Sequence, residues 1–428
     1  MKLSIRIYED REVRAIWDDE NSKWWFSVLD IIGVLNQQDD YSKNRNYWKY
    51  LKAKLRKEES ELVSLTTQLK LRAAITKNLN HNTFIRFRLK PYSDMKNTSI
   101  ILAALIMLLP MTSCKSANKN QKTDDLQPTV YVTRDLSPES LVNIYHKLGH
   151  PANGRIALKI STGESEETGY IRPEVLKPLI DDINAVEGNR VTIVECNTAY
   201  AGTRNTSEAH WKEIEKRGFL NVAPVDIMDE EGDMRIPVTD STHIKYNLVG
   251  SHLKNYDFMI NLAHFKGHQM AGMGGVLKNA SIGVASSHGK AYIHTAGVTQ
   301  SPDELWNHVD NQDGFVESMA SAAQSVHNYF GNGERIIYIS VMYRMSIDCD
   351  CNAHPQEPLI ADYGILASED PVALDQACYD IVSQIHNDEH NDNRPLLQRI
   401  AAQHGTHIME WGEQIGLGSR NYKLESID

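Results

Sequence analysis

The chain has 428 residues, of which 41% are hydrophobic and 24% charged, a composition typical of globular proteins with two or three domains. Its net charge of -11 is unevenly distributed: residues 1–94 carry 18 Lys and Arg against 13 Asp and Glu, whereas the remainder carries 27 against 43. The acidic remainder is therefore a poor candidate for binding nucleic acid, and the absence of any CxxC motif among the five cysteines excludes a zinc ribbon.

The first predicted elements are strands and a helix in residues 5–36. Hydrophobic and polar residues alternate at the start of this segment, which predicts short strands separated by a turn at residues 18–21. The alternating hydrophobic positions are Ile5, Ile7, Val13 and Ile16. Residues 28–35 then place hydrophobic side chains at the spacing of a helix face.

Residues 1–94 are referred to as the head. The head resembles the N-terminal domain of BRO-type prophage antirepressors over roughly residues 5–74. The matching residues are Arg6, Arg14, Ala15, Ile16, Trp17, Trp25, Phe26, Ser27, Asp30, Tyr47, Trp48, Lys49, Tyr50, Leu51 and Lys52. The resemblance implies DNA binding, with Lys49, Lys52 and Arg56 on a helix as candidate contacts to phosphate groups. A solvated helix face is the alternative interpretation of the same charges. Because residues 75–94 show no amphipathic period, we predict a truncated α+β module of residues 1–74 followed by a spacer.

A sequence typical of an export signal follows in residues 95–114. Lys96 supplies a positive charge, residues 99–109 supply an apolar run too short to span a bilayer, and small polar residues precede Cys114. Residues 111–114 resemble the lipobox of bacterial lipoproteins, in which the cysteine becomes the lipid-modified first residue. A buried core helix followed by a linker is the alternative.

The two segments together lead to the hypothesis that two reading frames are joined. A fragment of a phage-type gene would then precede a complete lipoprotein gene whose natural start is Met95. In that case a lipid on Cys114 anchors the protein to a membrane of the cell envelope. A genuine fusion translated from Met1 would instead be cytoplasmic or membrane-tethered and would retain the nucleic-acid partner implied by the head.

Residues 115–128 are polar and Lys-rich, as expected for a linker, and residues 129–428 form the predicted main domain. Strand-like and helix-like segments alternate along this domain, which predicts an α/β fold with a mainly parallel sheet flanked by helices. The predicted strands are residues 155–160, 190–196, 220–228, 244–249, 256–263 and 335–342. The predicted helices are residues 173–186, 207–218, 315–329 and 370–385, with Ser207 and Asp370 as caps and Pro173 and Pro371 in the first turn.

A Gly-rich stretch at the end of a predicted strand, NLAHFKGHQMAGMGGVLKNASIG (residues 261–283), carries several candidate site residues. Glycines at this density let the backbone approach a ligand, and Lys266, Lys278 and Asn279 beside them favour a phosphate or carboxylate. His264 and His268 have the spacing of metal ligands on one helix face, although the glycines disfavour a regular helix. The stretch contains no GxxxxGK followed by Ser or Thr, which excludes a P-loop.

A second candidate stretch, SIDCDCNAHPQEP (residues 346–358), contains Cys349, Cys351 and His354. Thiolate and imidazole groups at this density suit zinc, iron or copper. Both cysteines reach one ion only if the backbone turns, because successive side chains of a strand point to opposite sides. A redox-inert loop, or a disulfide with Cys196 or Cys378, is the alternative.

A third candidate stretch, DYGILASEDPVALDQACYD (residues 362–380), contains three carboxylates that can orient a ligand. They are Asp362, Asp370 and Asp375. Asp370 is a candidate contact to the ligand, but its position at the start of a predicted helix favours a capping role over a catalytic one.

These stretches resemble the domain of unknown function 362 family, whose members are often described as iron–sulfur-centre proteins. The matching segments are KGHQMAGMGGVLKNASIG, CDC and DYGILASEDPVALDQA, together with Lys159, residues 197–200, Arg204, Lys290 and His294. The resemblance covers essentially all of residues 143–385 and implies an α/β domain with a link to a metal or cluster, without an established reaction. Many members also insert a ferredoxin segment with CxxCxxC runs. This sequence lacks that segment, so a ferredoxin-type 4Fe–4S cluster is not expected.

Three functions remain open from the sequence. In the first, an envelope lipoprotein carries a metal-dependent enzyme that acts on a small anionic ligand, with His294 and Lys266 as catalytic residues. Its predicted metal ligands for zinc or iron are Cys349, Cys351, His268 and His354, and its predicted ligand contacts are Lys159, Lys266, Lys278, Asn279 and Asp370. The second is a non-catalytic ligand-binding or redox-partner module that uses the same pocket. The third is a DNA-binding regulator that relies on residues 5–74.

Overall fold

The computed structural model describes residues 2–8, 11–18, 23–35, 43–44, 48, 66–68, 83–86, 127–164 and 169–428. The chain divides into two compact units, Met1–Asn118 and Lys119–Asp428. Outside the described residues lie the export signal with Cys114 and the predicted DNA contacts Lys49, Lys52 and Arg56. Along the described part of the chain, no helix combines the length and hydrophobicity that crossing a membrane requires.

The first unit contains an antiparallel sheet and a short helix. Its described elements are β1 (Lys2–Tyr8), β2 (Arg11–Asp18), β3 (Lys23–Ser27), α1 (Val28–Leu35), β4 (Thr66–Gln68) and β5 (Thr83–Arg86). The strands lie in the order β1-β2-β3-β5-β4, and each neighbouring pair is antiparallel. Val28, Leu29 and Ile32 of α1 pack against Trp48, so the helix lies where the hydrophobic spacing predicts it.

The second unit is built around one sheet of eight strands. The strands of this unit are β6 (Thr129–Thr133), β7 (Arg155–Lys159), β8 (Arg190–Glu195), β9 (Val225–Ile227), β10 (Asp233–Ile236), β11 (Asn247–Gly250), β12 (Phe258–His264), β13 (Lys266–His268), β14 (Gly272–Gly274), β15 (Ile336–Met342), β16 (Gly364–Ser368) and β17 (Lys423–Ser426). The main sheet has the order β17-β6-β16-β15-β12-β7-β8-β9, and β10–β11 and β13–β14 form two separate pairs. Within the main sheet only the two pairings of β16 are antiparallel, which confirms the predicted mainly parallel sheet.

Helices cover both faces of the main sheet. They are α2 (Pro138–Leu148), α3 (Pro173–Asn184), α4 (Ser207–Lys216), α5 (Val276–Ser281), α6 (Ser287–His294), α7 (Gln312–Tyr329), α8 (Pro371–Ser383), α9 (Arg394–Ala402) and α10 (His407–Gln414). The second unit has two hydrophobic cores, and side chains that alternate along β12 belong to different ones. Phe258 and Ile260 pack with α2 and α3, whereas Met259 and Ala263 pack with α5, α7 and α8. Each fully buried aliphatic or aromatic side chain contributes roughly 1.5–3 kcal/mol, so the two cores hold the site's strands firmly.

One of the two predicted helix caps is confirmed, and the other is corrected by one residue. The Asp370 carboxylate accepts hydrogen bonds from the N–H groups of Val372 and Ala373, both at 2.9 Å, so the predicted cap of α8 is confirmed. The prediction of Ser207 as the cap of α4 is wrong by one residue. The hydroxyl of Thr206 fills that role instead, because both neighbours carry a hydroxyl and only Thr206 has the extended backbone of a cap.

Two predicted strands differ from the structure. Residues 220–228 form the end of a 3-10 turn, Phe219–Asn221, and then the short β9, because Pro224 lacks the N–H that a continuous strand needs. The strand predicted at residues 244–249 is β11, which pairs with β10 outside the main sheet. β6, β16 and β17 were absent from the predicted set because runs of four or five residues give a weak periodic signal.

Candidate functional site

The candidate site lies at the carboxyl ends of three parallel strands. Lys159 is the last residue of β7, Glu195 the last of β8 and His264 the last of β12. The loops that follow these strands, together with the loop after β15, enclose two connected cavities. Open α/β sheets commonly bind ligands in a crevice at this edge.

The β13–β14 hairpin and the cysteine loop after β15 bring two sequence motifs together. The N–H of Gly267 in the hairpin donates a hydrogen bond to the carbonyl of Ser346 at 2.8 Å. A Cβ at position 267 would collide with the backbone of Ile347. A glycine is therefore required here, because any side chain would push the cysteine loop away from the hairpin.

The inner cavity, of about 90 Å³, is rich in positive charge. Its charged lining consists of five cations, Lys159, Arg204, Lys266, Lys278 and Lys290, and two carboxylates, Glu195 and Asp350. Helix α5 contributes Lys278 and helix α6 contributes Lys290. Three cations are therefore left without a carboxylate to balance them.

Each of the two carboxylates forms an ion pair with one of the cations. The Lys266 ammonium is ion-paired with Asp350, whose other oxygen lies 3.0 Å from Nδ1 of His264. Burial opposes ionisation of Asp350, but Lys266 and His264 outweigh it and hold the pKa of Asp350 well below its usual range. Likewise, burial opposes ionisation of Glu195, but Arg204 at 3.1 Å and His210 at 2.9 Å together outweigh it and lower the pKa of Glu195.

Lys159, Lys278 and Lys290 form no ion pair with a described residue. Lys290 donates to a backbone carbonyl at 2.6 Å, and Lys159 donates to Oδ1 of Asn279 at 3.1 Å. The Lys278 ammonium makes no hydrogen bond to any described residue. Burial lowers the pKa of Lys159 to about 8, and burial together with the Lys266 charge lowers that of Lys278 to about 7.

Lys278 is positioned by the start of its helix. The Asp375 carboxylate accepts hydrogen bonds from the N–H groups of Val276 and Leu277, at 2.8 and 2.9 Å. A side chain at Gly275 would collide with the same carboxylate. Burial raises the pKa of Asp375 to about 7, although the two hydrogen bonds oppose that shift. Asp375 thus fixes the helix that presents Lys278 to the cavity.

An outer cavity of about 540 Å³ opens from the inner one. Tyr200, Lys278, Ile282 and Cys351 line both cavities and therefore stand at their junction. The remaining lining of the outer cavity includes His268, Met270, His294 and Trp306. A cavity of this volume accommodates a small organic molecule.

His268 faces the outer cavity as a hydrogen-bond donor. Its Nδ1 accepts hydrogen bonds from the backbone N–H groups of Met270 and Ala271, at 3.1 and 2.9 Å. Burial and the charge of Lys278 lower the pKa of His268 well below its usual value, so the ring is neutral. A neutral ring that accepts at Nδ1 carries its proton on Nε2, which lies 3.7 Å from Sγ of Cys351.

His294 has the opposite tautomer. Its Nδ1 donates a hydrogen bond to the carbonyl of Lys290 at 2.7 Å, which leaves the lone pair on Nε2. The ring stacks on Phe315 with a centroid distance of 4.7 Å. Burial lowers the pKa of His294 to about 4, and a bound anion would raise it again by adding negative charge nearby. The outer cavity therefore contains one imidazole donor and one imidazole acceptor.

Cys349 and Cys351 form a group with His268 in which one ligand atom from each residue lies within 4.8 Å of the others. This group can hold a metal ion. In the structure the two cysteines are joined to each other by a disulfide, whereas Cys196 and Cys378 are buried free thiols. The alternative pairing with Cys196 or Cys378 is therefore not formed, and thiolate ligands become available after reduction.

Most of the predicted site residues surround the two cavities. The structure brings together Lys159, His264, Lys266, His268, Lys278, Asn279, His294, Cys349 and Cys351. His354 is exposed and lies outside the cysteine–histidine group. Asp370 lines neither cavity; in addition to capping α8, it accepts a hydrogen bond from the N–H of Ser419 at 2.8 Å.

Several lining residues have no role in the sequence-based prediction. They are Glu195, Tyr200, Arg204, Lys290 and Trp306. Lys290 lies four residues before His294, so the spacing of one helical turn was an available signal for it. Glu195 ends β8, Tyr200 and Arg204 lie in the connection between β8 and α4, and Trp306 lies on the 3-10 helix Pro302–Asn307, so no local spacing places them at one site.

Comparisons with known proteins place this site within a family. The family model described as "Domain of unknown function (DUF362)" matches residues 156–380, which include every residue that lines the two cavities. No curated protein matches the chain.

Two solved structures show a limited likeness of fold. A Thermotoga maritima protein from the Northeast Structural Genomics Consortium has a TM-score of 0.33 and 12% identity, with 58% of each chain covered. The lactate racemase apoprotein from Thermoanaerobacterium thermosaccharolyticum has a TM-score of 0.30 and 15% identity, with 52% of each chain covered. The chain thus spans little more than half the length of either protein, and the likeness does not extend to activity.

Proposed function

The chain belongs to the DUF362 family, and we propose that its second unit is a metal-dependent enzyme that acts on a small anionic ligand. The observation that carries the proposal is the inner cavity, where five cations face two carboxylates. The cysteine–histidine group at the junction with the outer cavity supplies the second part of the proposal.

The surplus of positive charge supports an anionic ligand. An ammonium group removed from water without a counter-ion costs several kcal/mol, and three lysines that form no ion pair with a described residue cluster here. The lowered pKa values of Lys159 and Lys278 reflect this cost. A bound carboxylate or phosphate would offset it, and the unpartnered Lys278 is the most direct contact available to that group.

Within the cysteine–histidine group, the sulfur atoms are better metal ligands than the imidazole. Reduced Cys349 and Cys351 offer two thiolates, which zinc and iron bind well. A metal-bound imidazole normally donates its second N–H to an acceptor, whereas Nδ1 of His268 faces two backbone donors. His268 is therefore the weaker ligand. When bound, the metal supplies a Lewis acid at the junction of the two cavities.

Proton transfer is assigned to His294 in this proposal. Its ring is neutral near pH 7, is held by the Lys290 carbonyl and keeps its Nε2 lone pair available in the outer cavity. Lys266, the other predicted catalytic residue, is paired with Asp350. We therefore assign Lys266 to balancing the charge of Asp350 rather than to catalysis.

The test combines metal loading with a substrate screen. The reduced full-length protein is loaded with zinc or iron and assayed against small carboxylates and phosphate esters. We expect turnover that needs the metal and that falls by about 100-fold or more in His294→Gln, with metal content unchanged. The exposed His354→Gln serves as the matched control. Stoichiometric metal and tight anion binding without turnover of any compound would contradict the enzymatic role.

A second candidate function is a redox-partner module. It is favoured by the Cys349–Cys351 disulfide and by the His268 N–H that faces Cys351. Reduction of this disulfide takes up two electrons and two protons, and a nearby N–H donor favours a reactive thiolate. Equilibration with a glutathione buffer distinguishes the two candidates. Rapid reversible cycling in the absence of metal would favour the redox module over the enzyme.

We also propose, from the sequence alone, that the protein translated from Met95 is lipid-anchored at Cys114 in the cell envelope. The test is the intact mass and N-terminal peptide of the protein isolated from its own host. A lipid-modified Cys114 supports the anchor. An unprocessed chain from Met1 contradicts it and makes DNA binding through Lys49, Lys52 and Arg56 the next proposal to test, by a salt-dependent gel shift with the head.

A further inference from the structure

The outer cavity has an aromatic wall that the proposed function does not use. Tyr200 stands at the junction of the two cavities, and Trp306 lies on the 3-10 helix Pro302–Asn307. Their ring centroids are 6.4 Å apart, and the rings are tilted by 52°. Trp306 is 57% exposed, and its indole N–H donates no hydrogen bond to a described residue.

Trp306 differs from the other exposed hydrophobic residues of the second unit. Val186, Leu220 and Leu424 are exposed to a similar extent, but they line neither cavity. Isolated exposed hydrophobic residues are normal on protein surfaces. An exposed indole in the wall of a cavity that leads to a cation-rich pocket lies where a bound ligand would extend.

The lining changes in character from the inner cavity outwards. Ammonium groups dominate the inner cavity, whereas Lys278 is the one lysine that lines the outer cavity. Met270 and Trp306 line the outer cavity alone, and they continue the apolar surface that Tyr200 and Ile282 begin at the junction. The inner volume of about 90 Å³ accommodates little more than the anionic group itself. The rest of any larger ligand must therefore lie in the outer cavity, against the aromatic wall.

We propose that the ligand is an amphipathic anion, with a carboxylate or phosphate in the inner cavity and an aromatic or other planar apolar body against Trp306 and Tyr200. This inference rests on the proposed function, because it requires the inner cavity to bind the anionic group. Trp306 is then a specificity-determining residue that selects the body of the ligand, while the lysines select its head.

The experiment compares matched pairs of probes by calorimetric titration of the full-length protein. The pairs are inorganic phosphate with phenyl phosphate, and acetate with phenylacetate. For at least one pair we expect the aromatic probe to bind about tenfold more tightly than its parent. In Trp306→Ala this preference should fall to about threefold or less, with the affinity for the parent anion unchanged. Leu220→Ala, which removes an exposed side chain outside both cavities, should keep the wild-type preference.

The outcomes separate this inference from the proposed function. Equal affinities for parent and aromatic probes would overturn the amphipathic ligand and leave anion binding in place. A preference that survives in Trp306→Ala would overturn the role of the aromatic wall. Absence of binding by all four probes would overturn anion binding itself, and with it both proposals.

Discussion

Nε2 of His268 lies 3.7 Å from Sγ of Cys351, and it carries the proton of the ring because Nδ1 accepts two backbone hydrogen bonds. An N–H group beside a sulfur atom favours the thiolate over the thiol once the disulfide is reduced. The same proton must leave Nε2 before that nitrogen can bind a metal ion. The geometry therefore ranks the ligands, with the thiolates ahead of the imidazole.

Reduction is expected to control metal binding. The oxidised protein should bind Co²⁺ weakly, whereas the reduced protein should show the absorption of thiolate-to-cobalt charge transfer, because only thiolates are strong ligands. The double variant Cys349→Ser/Cys351→Ser should lose this absorption, while His268→Asn should weaken binding by less than about tenfold. Cys378→Ala, a buried thiol outside the group, is the control. Tight Co²⁺ binding by the oxidised protein or by the double variant would contradict this ranking.

Anion affinity is expected to fall as the pH rises from about 6 to about 8.5. The pKa of Lys278 is lowered to about 7, so its ammonium is charged at the start of this range and largely neutral at its end. Acetate keeps a constant charge over the same range, which makes it the suitable probe. Calorimetric titration should show this decline for the wild type. In Lys278→Met only Lys159, whose pKa is lowered to about 8, still loses its charge in this range, so the decline should be smaller and should begin at a higher pH. An affinity that is independent of pH in the wild type would refute a role for this ammonium.

Asp375→Asn should lower anion affinity without lowering the stability of the fold at about pH 8. The carboxylate accepts one hydrogen bond at each oxygen, whereas an amide would turn an NH₂ group towards one of the two N–H donors. Burial raises the pKa of Asp375 to about 7, so keeping this carboxylate ionised at about pH 8 lowers the free energy of unfolding of the wild type. The uncharged amide removes that cost, which offsets the unsatisfied donor, so the free energy of unfolding of Asp375→Asn should not fall below that of the wild type.

The matched control for this prediction is Asp370→Asn on the same helix. Asn is nearly as good a cap as Asp, and position 370 lines neither cavity, so anion affinity should stay unchanged in the control. Urea unfolding and acetate titration measure the two effects. Unaltered anion affinity in Asp375→Asn would show that the start of α5 does not position Lys278.

His407 should make the fold less stable as the pH rises. Burial lowers its pKa, but hydrogen bonds to Glu317 and Glu410 outweigh burial and raise the pKa above the usual value. The unfolded value is about 6.5, so this stabilisation is complete below about pH 6.5 and is lost as the pH passes through the higher folded-state pKa. His407→Gln should therefore melt below the wild type at about pH 6, and the two melting temperatures should converge at higher pH. The exposed His354→Gln should follow the wild type throughout, and a constant difference for His407→Gln would contradict the linkage.

Local patterns in the sequence predict the central part of the fold well. β12 and β15 are runs of seven buried residues, and α8 begins with an Asp–Pro pair, so each has a strong signal of its own. The edge of the sheet formed by β6, β16 and β17 has no such signal. Its strands are short, and they exist because they pair with neighbours that are distant in the sequence.

The site could be predicted only as separate stretches. The sequence identifies Lys278 and Cys351 as candidate site residues because of their side-chain chemistry. That both line the same cavities depends on the close contact between Gly267 and the cysteine loop, which the sequence does not reveal. The state of each imidazole also depends on tertiary contacts, since a backbone carbonyl fixes the tautomer of His294 and backbone N–H groups fix that of His268. No spacing rule contains that information.

The central claim is that the inner cavity binds an anion through Lys278. The most direct measurement is calorimetric titration of inorganic phosphate into the reduced full-length protein, for the wild type and for Lys278→Met at about pH 6.5, with the exposed Lys212→Met as control. The account predicts saturable binding to one site that is weakened by about tenfold or more in Lys278→Met alone. It also predicts a higher melting temperature of the unliganded variant, because an unpaired ammonium is replaced by an apolar side chain. Equal phosphate affinity of Lys278→Met and the wild type, or no binding by the wild type, would contradict the account.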